Sequence, residues 1–220
     1  MQKNMAVRML FIFGMIVLSV IVMAQELQPI QLPAPQMEGG RPLMQVLKDR
    51  KTIRSFEAKE LSDQTLSNLL WAAFGINRSE SGRRTAPSAV NWQEIDIYVA
   101  LKKGLYLYDV KANQLKPVVD QDLRTATGMQ EFVGEAPLNL VFVADYSKMG
   151  EAPDEFKDPM AYADAGFIGQ NVYLFCASEG LGTVVRAMID RKTLAPLMQL
   201  GEDQRIILAQ TVGYPKQSTE

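Results

Sequence analysis

Arg50-Lys51-Thr52-Ile53-Arg54-Ser55-Phe56 and Arg84-Thr85-Ala86-Pro87-Ser88-Ala89-Val90-Asn91-Trp92-Gln93 are the two stretches on which this 220-residue chain turns. The first sets three cations and two hydroxyls beside an apolar helical pattern. A guanidinium grips a phosphate with two parallel N–H bonds, and a neighbouring hydroxyl or backbone N–H completes the oxygen shell. The same cluster is equally readable as a solvated basic turn, since cations favour helix C-termini. The second sets Ser88 and Asn91, each a donor and an acceptor, on a proline-fixed backbone just before a strand. That suits the hydrogen-bonding edge of a planar ring. It also suits a cap and turn.

Outward from these stretches the pattern is α+β. Leu43, Val46 and Leu47 stand at helical spacing and lead into Arg50. Leu61 to Gly75 predicts a helix with Ser62 as N-cap, Leu66, Leu69, Leu70 and Ala73 on one face, and Gly75 at its end. Asn77 to Arg84 reads as a polar loop. A strand follows over Glu94 to Leu101, then short strands around Gly104 to Asp109 and beyond Asn113. Leu138 to Ala144 is nearly all apolar, as in a strand buried on both faces. Ala161 to Gly180 predicts a long helix with small residues at 161, 163, 165, 166 and 169, allowing close approach of another helix from within the chain or from a second copy. A stretch from Thr183 to Ile189, a helix near Lys192 to Leu200 and a strand from Arg205 to Gly213 complete the pattern. Gly180 reads as a helix C-cap and Gly182 as a point of close backbone approach; Gly180-Leu181-Gly182-Thr183 leaves a helix rather than opening one, so it is no dinucleotide loop.

Composition removes whole classes of chemistry. The chain has no histidine and one cysteine, Cys176. An imidazole-activated nucleophile, a His/Cys zinc site and an internal disulfide are excluded, and any redox chemistry needs a bound cofactor. Cys176 lies in an apolar helical stretch and reads as a small core residue. The net charge is −2, and −4 without the first 24 residues that carry Lys3 and Arg8. No basic surplus invites nucleic acid.

Residues 1–24 form a charged start, an apolar run from Met9 to Met23 and Val22-Met23-Ala24, the pattern of a signal peptide cut after Ala24. This predicts an exported, periplasmic protein; an uncleaved membrane anchor is the competing reading. Residues 25–40, rich in Pro, Gln and Gly, read as a linker, and 41–220 as one domain with a mainly antiparallel sheet.

Taken in order, four segments resemble the nitroreductase-type flavoproteins, and within them the SagB/thiazoline-oxidase-like dehydrogenases, over roughly residues 43–216. Arg50 to Phe56 resembles the family's opening Arg-Arg-Ser-x-Arg-x-Phe, and Arg84 to Gln93 its Pro-Ser-x-x-Asn-x-Gln segment. Asp164-Ala165-Gly166 through Gln170-Asn171 to Gly180-Leu181-Gly182-Thr183 resembles its dimer helix and exit, and Val212-Gly213-Tyr214-Pro215-Lys216 its closing strand. The hairpin Gly104 to Asp109 is similar to the SagB-like branch, whereas Val90-Asn91-Trp92-Gln93 is closer to plain nitroreductases, and no Lys/Tyr pair for azoline oxidation is evident.

The resemblance implies a nitroreductase-like fold, an intertwined homodimer and FMN at its interface. Arg50 and Thr52, beside Lys51, would contact the phosphate or ribityl chain, and Arg54 the pyrimidine side. Ser88 and Asn91, flanked by Pro87 and Ala89, would bind across the pocket, with Ser88 from the partner subunit. The backbone of Val185, Arg186 and Ala187 would pass along the ring, and Gly213 and Lys216 would close the phosphate end. The implied activity is ping-pong transfer from NAD(P)H or another donor to a quinone or nitro compound, with no metal. An exported chain argues for a donor other than free NAD(P)H, or for an inward-facing anchor. Two further readings are an FMN-binding protein without turnover and an enzyme acting on flavin itself.

Overall fold

A computed structural model describes residues 26–216. The signal peptide expected over residues 1–24 lies outside the described residues. Seven strands form one antiparallel sheet in the order β1-β6-β5-β4-β7-β9-β8. They are β1 (Ile30–Gln31), β4 (Ile95–Leu101), β5 (Gly104–Asp109), β6 (Gln114–Val119), β7 (Leu138–Asp145), β8 (Gly182–Arg186) and β9 (Gln204–Gly213); β2 (Ile76–Arg78) and β3 (Arg83–Arg84) pair separately. The helices are α1 (Leu43–Asp49), α2 (Asp63–Phe74), α3 (Phe132–Glu135), α4 (Asp154–Glu179) and α5 (Arg191–Leu197).

The central strand shows why the sheet is covered on both faces. Side chains alternate along a strand, and in β7 Leu140, Phe142 and Ala144 join the core beneath α2 and α4. Val141 and Val143 face the other way, into a second cluster with Tyr98, Ile206, Leu194 and Met198. Both sets are apolar, so both faces bury.

α2 forms as its sequence predicts. Ser62 caps it by accepting from Thr65 N–H at 3.1 Å, Gly75 ends it, and Leu66, Leu69, Leu70 and Ala73 are buried. α4 begins at Asp154, seven residues before its expected start. Pro159 sits within its second turn, and the acidic Asp154 and Glu155 in the first turn suit the positive end of the helix dipole. Gly180 closes it in the left-handed region, φ 71°. The small residues divide: Ala161, Ala165 and Gly169 are buried, while Ala163 and Gly166 face outward beside half-exposed Phe167.

Two expectations are corrected. The described part of the 25–40 linker is laid along the domain: Ile30 and Gln31 pair with Leu115 and Gln114, Leu32 is buried, and Gln36 N–H bonds Asn68 Oδ1 at 2.8 Å. A single apolar residue docking on a sheet edge leaves no periodic trace. The expected loop 77–84 is a short hairpin, Ile76 opposite Arg84, too brief to show alternation.

Candidate functional site

β8 is an edge strand, and its free side organises the site. Arg50 caps the C-terminus of α1 and leaves the helix with extended backbone, φ −55° and ψ 118°. The chain then runs beside β8, with Ile53 N–H donating to Thr183 O at 3.0 Å. The closing segment lies along the same stretch: Glu57 N–H bonds Tyr214 O at 2.8 Å, and Lys216 N–H bonds Ser55 O at 3.1 Å. Gly182 makes this approach feasible, because a Cβ there would lie 2.8 Å from Ile53 Cγ2.

Tyr173 of α4, absent from the predicted set, ties the pieces together. Its hydroxyl accepts from Val185 N–H at 3.1 Å and lies 3.1 Å from Thr52 Oγ1, and the Arg50 guanidinium stands 5.2 Å from its ring centroid. Either hydroxyl can donate in the Tyr173–Thr52 bond; with Tyr173 as the donor, the Thr52 proton is free for a ligand. Lys51, Ile53, Tyr173, Gly180, Leu181, Thr183 and Lys216 line a cavity of about 350 Å³, within the range of ligand pockets. A larger hollow of about 690 Å³ lies among residues 36–41, α1, α2 and α4. None of the predicted residues lines it, so volume alone does not mark the site.

The other predicted residues fall in three places. Arg54 is exposed, and Lys216 pairs with Glu135 at 2.9 Å. Gly213 is buried; a Cβ there would lie 2.6 Å from Pro137 Cδ and 3.2 Å from the Phe56 ring, so packing against the closing strand is what demands glycine. Val185 keeps its side chain half-exposed toward α4, and Ala187 is exposed. Arg186 alternates to the opposite face. It is 4% exposed, donating to Thr211 Oγ1 at 3.0 Å, Thr127 O at 2.8 Å and Asn139 Oδ1 at 3.0 Å. Burial without a carboxylate lowers its pKa to about 10, and it stays charged at neutral pH.

Pro87, Ser88, Ala89 and Asn91 form a separate group. Ser88 Oγ accepts from Gln93 N–H, and Ala89 N–H donates to Asp164 Oδ2, both at 2.8 Å. Pro87 and Asn91 are exposed. Val90, Asn91 and Gln93 hold positive φ of 51°, 61° and 52°. Asp164 and Tyr173 are nine residues apart on α4, about 14 Å along its axis. One protomer therefore does not bring this loop to the Arg50 cluster. Asp164 and its neighbour Glu94 were missed by sequence reasoning. Their one trace is an acid on the buried face of α4 and an acid opening an apolar strand.

The donor set fits a flavin phosphate. It sets Lys51 and Lys216 on the lining of one hollow, with Arg50 and Thr52 joined to that lining through Tyr173, beside an open strand edge, suiting an anion at one end and a flat hydrogen-bonding body along the other. Residues 47–214 match the sequence model of the nitroreductase family. The chain belongs to the nitroreductase family. It is 30% identical over 165 residues to a nitroreductase-type protein of Methanocaldococcus jannaschii, covering 70% of this chain and 82% of that one. The crystal structure of a nitroreductase-type protein from Ralstonia eutropha JMP134 superposes with a TM-score of 0.83 at 48% identity, covering 86% of this chain and 90% of that one. A chain of the E. coli microcin synthetase complex shares the fold, with a TM-score of 0.66 at 21% identity over 84% of this chain and 78% of that one. This nitroreductase-family fold is thus the expected α+β architecture with a central antiparallel sheet. Among the described residues no cluster of three or more acidic or thiol side chains suits a metal, and no helix is long and apolar enough to cross a membrane.

Proposed function

We propose that this nitroreductase-family member is an FMN-dependent oxidoreductase acting as a homodimer, in which one pocket serves electron donor and acceptor in turn. The observation that carries the reading is the convergence of Arg50, Thr52 and Tyr173 on the free edge of β8. Arg50 would hold the phosphate, with Lys51 and Lys216 near by; Thr52, accepting from Tyr173, would donate its own proton to the phosphate or ribityl chain. Arg54 would face the pyrimidine side, where a cation favours negative charge. Val185 and Ala187 would offer backbone along the ring. Ser88 and Asn91 would come from the partner subunit, because within one protomer they stand too far along α4 to share the pocket. When bound, FMN supplies the two-electron chemistry, and the protein supplies position and field. Water or substrate can provide the proton, so no acidic side chain is required.

Dimer formation is supported by the apolar surface left uncovered: Met44, Phe167, Val185 and Met188 are 75%, 50%, 36% and 60% exposed. Placement in the SagB-like branch rests on the hairpin Gly104–Asp109. Export to the periplasm rests on the pattern of residues 1–24 and implies a donor other than free NAD(P)H, unless that segment is an inward-facing anchor.

The test is an absorbance spectrum of the purified protein with the mass of its released chromophore, followed by reduction without air. Flavin absorbance, bleaching by a nicotinamide or another two-electron donor, and recovery on adding a quinone or nitroaromatic support the enzyme. A flavin that binds but never cycles supports a carrier. A colourless protein that refuses FMN removes both.

A further inference from the structure

Glu94, the residue before β4, has its side chain fully buried, and neither carboxylate oxygen has a hydrogen-bond donor from another residue. Its acidic neighbour is Asp164 of α4, itself 2% exposed. Two carboxyl groups therefore meet out of water at the base of the 88–93 loop. An ionised carboxylate buried without donors is far costlier than its neutral form, and two such charges side by side are costlier still. Asp164 Oδ2 accepts from Ala89 N–H at 2.8 Å, whereas no other residue donates to Glu94, so the proton belongs on Glu94.

The cations in the surroundings are engaged elsewhere. Lys148, on the turn after β7, acts on Glu94 from a distance while its Nζ binds Asp96 Oδ1 at 2.7 Å. Arg84 of β3 donates to Gln93 Oε1 at 2.8 Å and stacks over Phe74. Asp145, at the end of β7, gives its backbone N–H to Glu94 O at 2.9 Å and turns its carboxylate to Ser147. Burial, with the Asp164 charge adding to it, pushes Glu94 up to about 7. Burial also raises Asp164, against the pull of the Ala89 N–H.

The loop depends on this pair at both ends. Ala89 is tied to Asp164, Gln93 is joined covalently to Glu94, and between them Val90, Asn91 and Gln93 hold left-handed backbone that non-glycine residues adopt only when held. We propose that Glu94 and Asp164 share one proton, and that this proton latches the 88–93 loop onto α4. The pair are then positioning residues for Ser88 and Asn91, a consequence that rests on the loop meeting the cofactor as described above.

Deprotonation leaves two buried negative charges, relieved by admitting water and releasing Ala89. The sign follows from linkage: the folded chain keeps a proton that the unfolded chain gives up above its usual value of 4.5. Stability from this source is therefore greatest below about 4.5, falls as pH rises to about 7, and is level above that.

The loop carries its own reporter, Trp92, one of only two tryptophans in the chain. In cofactor-free protein with Trp71→Phe, the Trp92 emission should shift to the red with a midpoint near pH 7. Glu94→Gln, permanently neutral and able to donate to Asp164, should abolish the transition and flatten the fall of Tm between about pH 4.5 and 7. Asp164→Ala should give red-shifted emission at every pH. Should Trp71→Phe not fold, the same comparison is made with both tryptophans present. A transition that survives Glu94→Gln unchanged overturns the latch. FMN retention, measured separately, should fall across the same pH range in the parent and not in Glu94→Gln. A loop that titrates while FMN retention stays constant keeps the latch and overturns its role toward the cofactor. A chain that never binds FMN bears on the functional reading alone.

Discussion

Tyr173 joins three parts of the site with one hydroxyl and one ring: Thr52, Val185 and Arg50. Tyr173→Phe keeps the ring and removes the hydroxyl, leaving Val185 N–H and Thr52 without this partner. FMN affinity by fluorescence titration should fall about tenfold, the effect of one hydrogen bond's worth of about 1.4 kcal/mol. Arg50 and Lys51 are adjacent cations with different settings. Arg50 is half-buried over an aromatic face, whereas Lys51 is exposed. Arg50→Ala should therefore weaken FMN retention by at least tenfold more than Lys51→Ala; equal losses in a dialysis assay would mean the phosphate contact lies elsewhere. The arginine cluster and the Ser88–Asn91 pair could be singled out as candidates because their residue types and spacing are local facts. Tyr173, Asp164 and Glu94 were not, because a buried polar side chain reveals its purpose only through a partner distant in the chain.

Elements differ in how locally they are specified. α2 carries its start and stop in adjacent residues, with Ser62 accepting from Thr65 N–H and Gly75 at its end. Ser62→Ala should cost about 1 kcal/mol in chemical denaturation, with no change in FMN binding because the cap is remote from β8. The β8 edge is the opposite case. Its glycine is required by Ile53, 129 positions earlier in the chain. Gly182→Ala should cost about 1–3 kcal/mol through overpacking and also weaken FMN retention, since Ile53 holds the segment between Arg50 and Arg54. A stability loss with unchanged retention would uncouple that segment from the site. The start of α4 was placed at Ala161 because the apolar and small-residue pattern begins there, whereas residues 154–160 are mostly polar and include Pro159. Residues 30–32 lacked periodicity because one buried leucine and two pairing residues make too short a pattern.

At the scale of the molecule, the outward face of α4 is unusual for a monomer. Tyr162 and Phe167 are 44% and 50% exposed beside Ala163 and Gly166, and small residues permit close helix approach. Sedimentation should give a dimer, and Phe167→Glu should shift it to monomer by placing a charge in the seam. If Ser88 and Asn91 act across that seam, the monomer should also lose FMN; a monomeric variant that retains FMN fully would confine the site to one chain.

Alternating apolar residues in 95–101, the apolar run of 138–144, the cap of α2, and a histidine-free, thiol-poor composition already dictated strands, helices and the condition that any redox chemistry needs a bound cofactor. Those properties are written locally, residue by residue or as a repeating period. Folding decided what no period encodes: that Arg186 turns inward to Asn139 and Thr211 while its backbone stays on the edge, that Tyr173 reaches Thr52, and that Glu94 meets Asp164. Each of these depends on two segments brought together by burial of the sheet's two apolar faces, and their distance along the chain hides it from any local pattern.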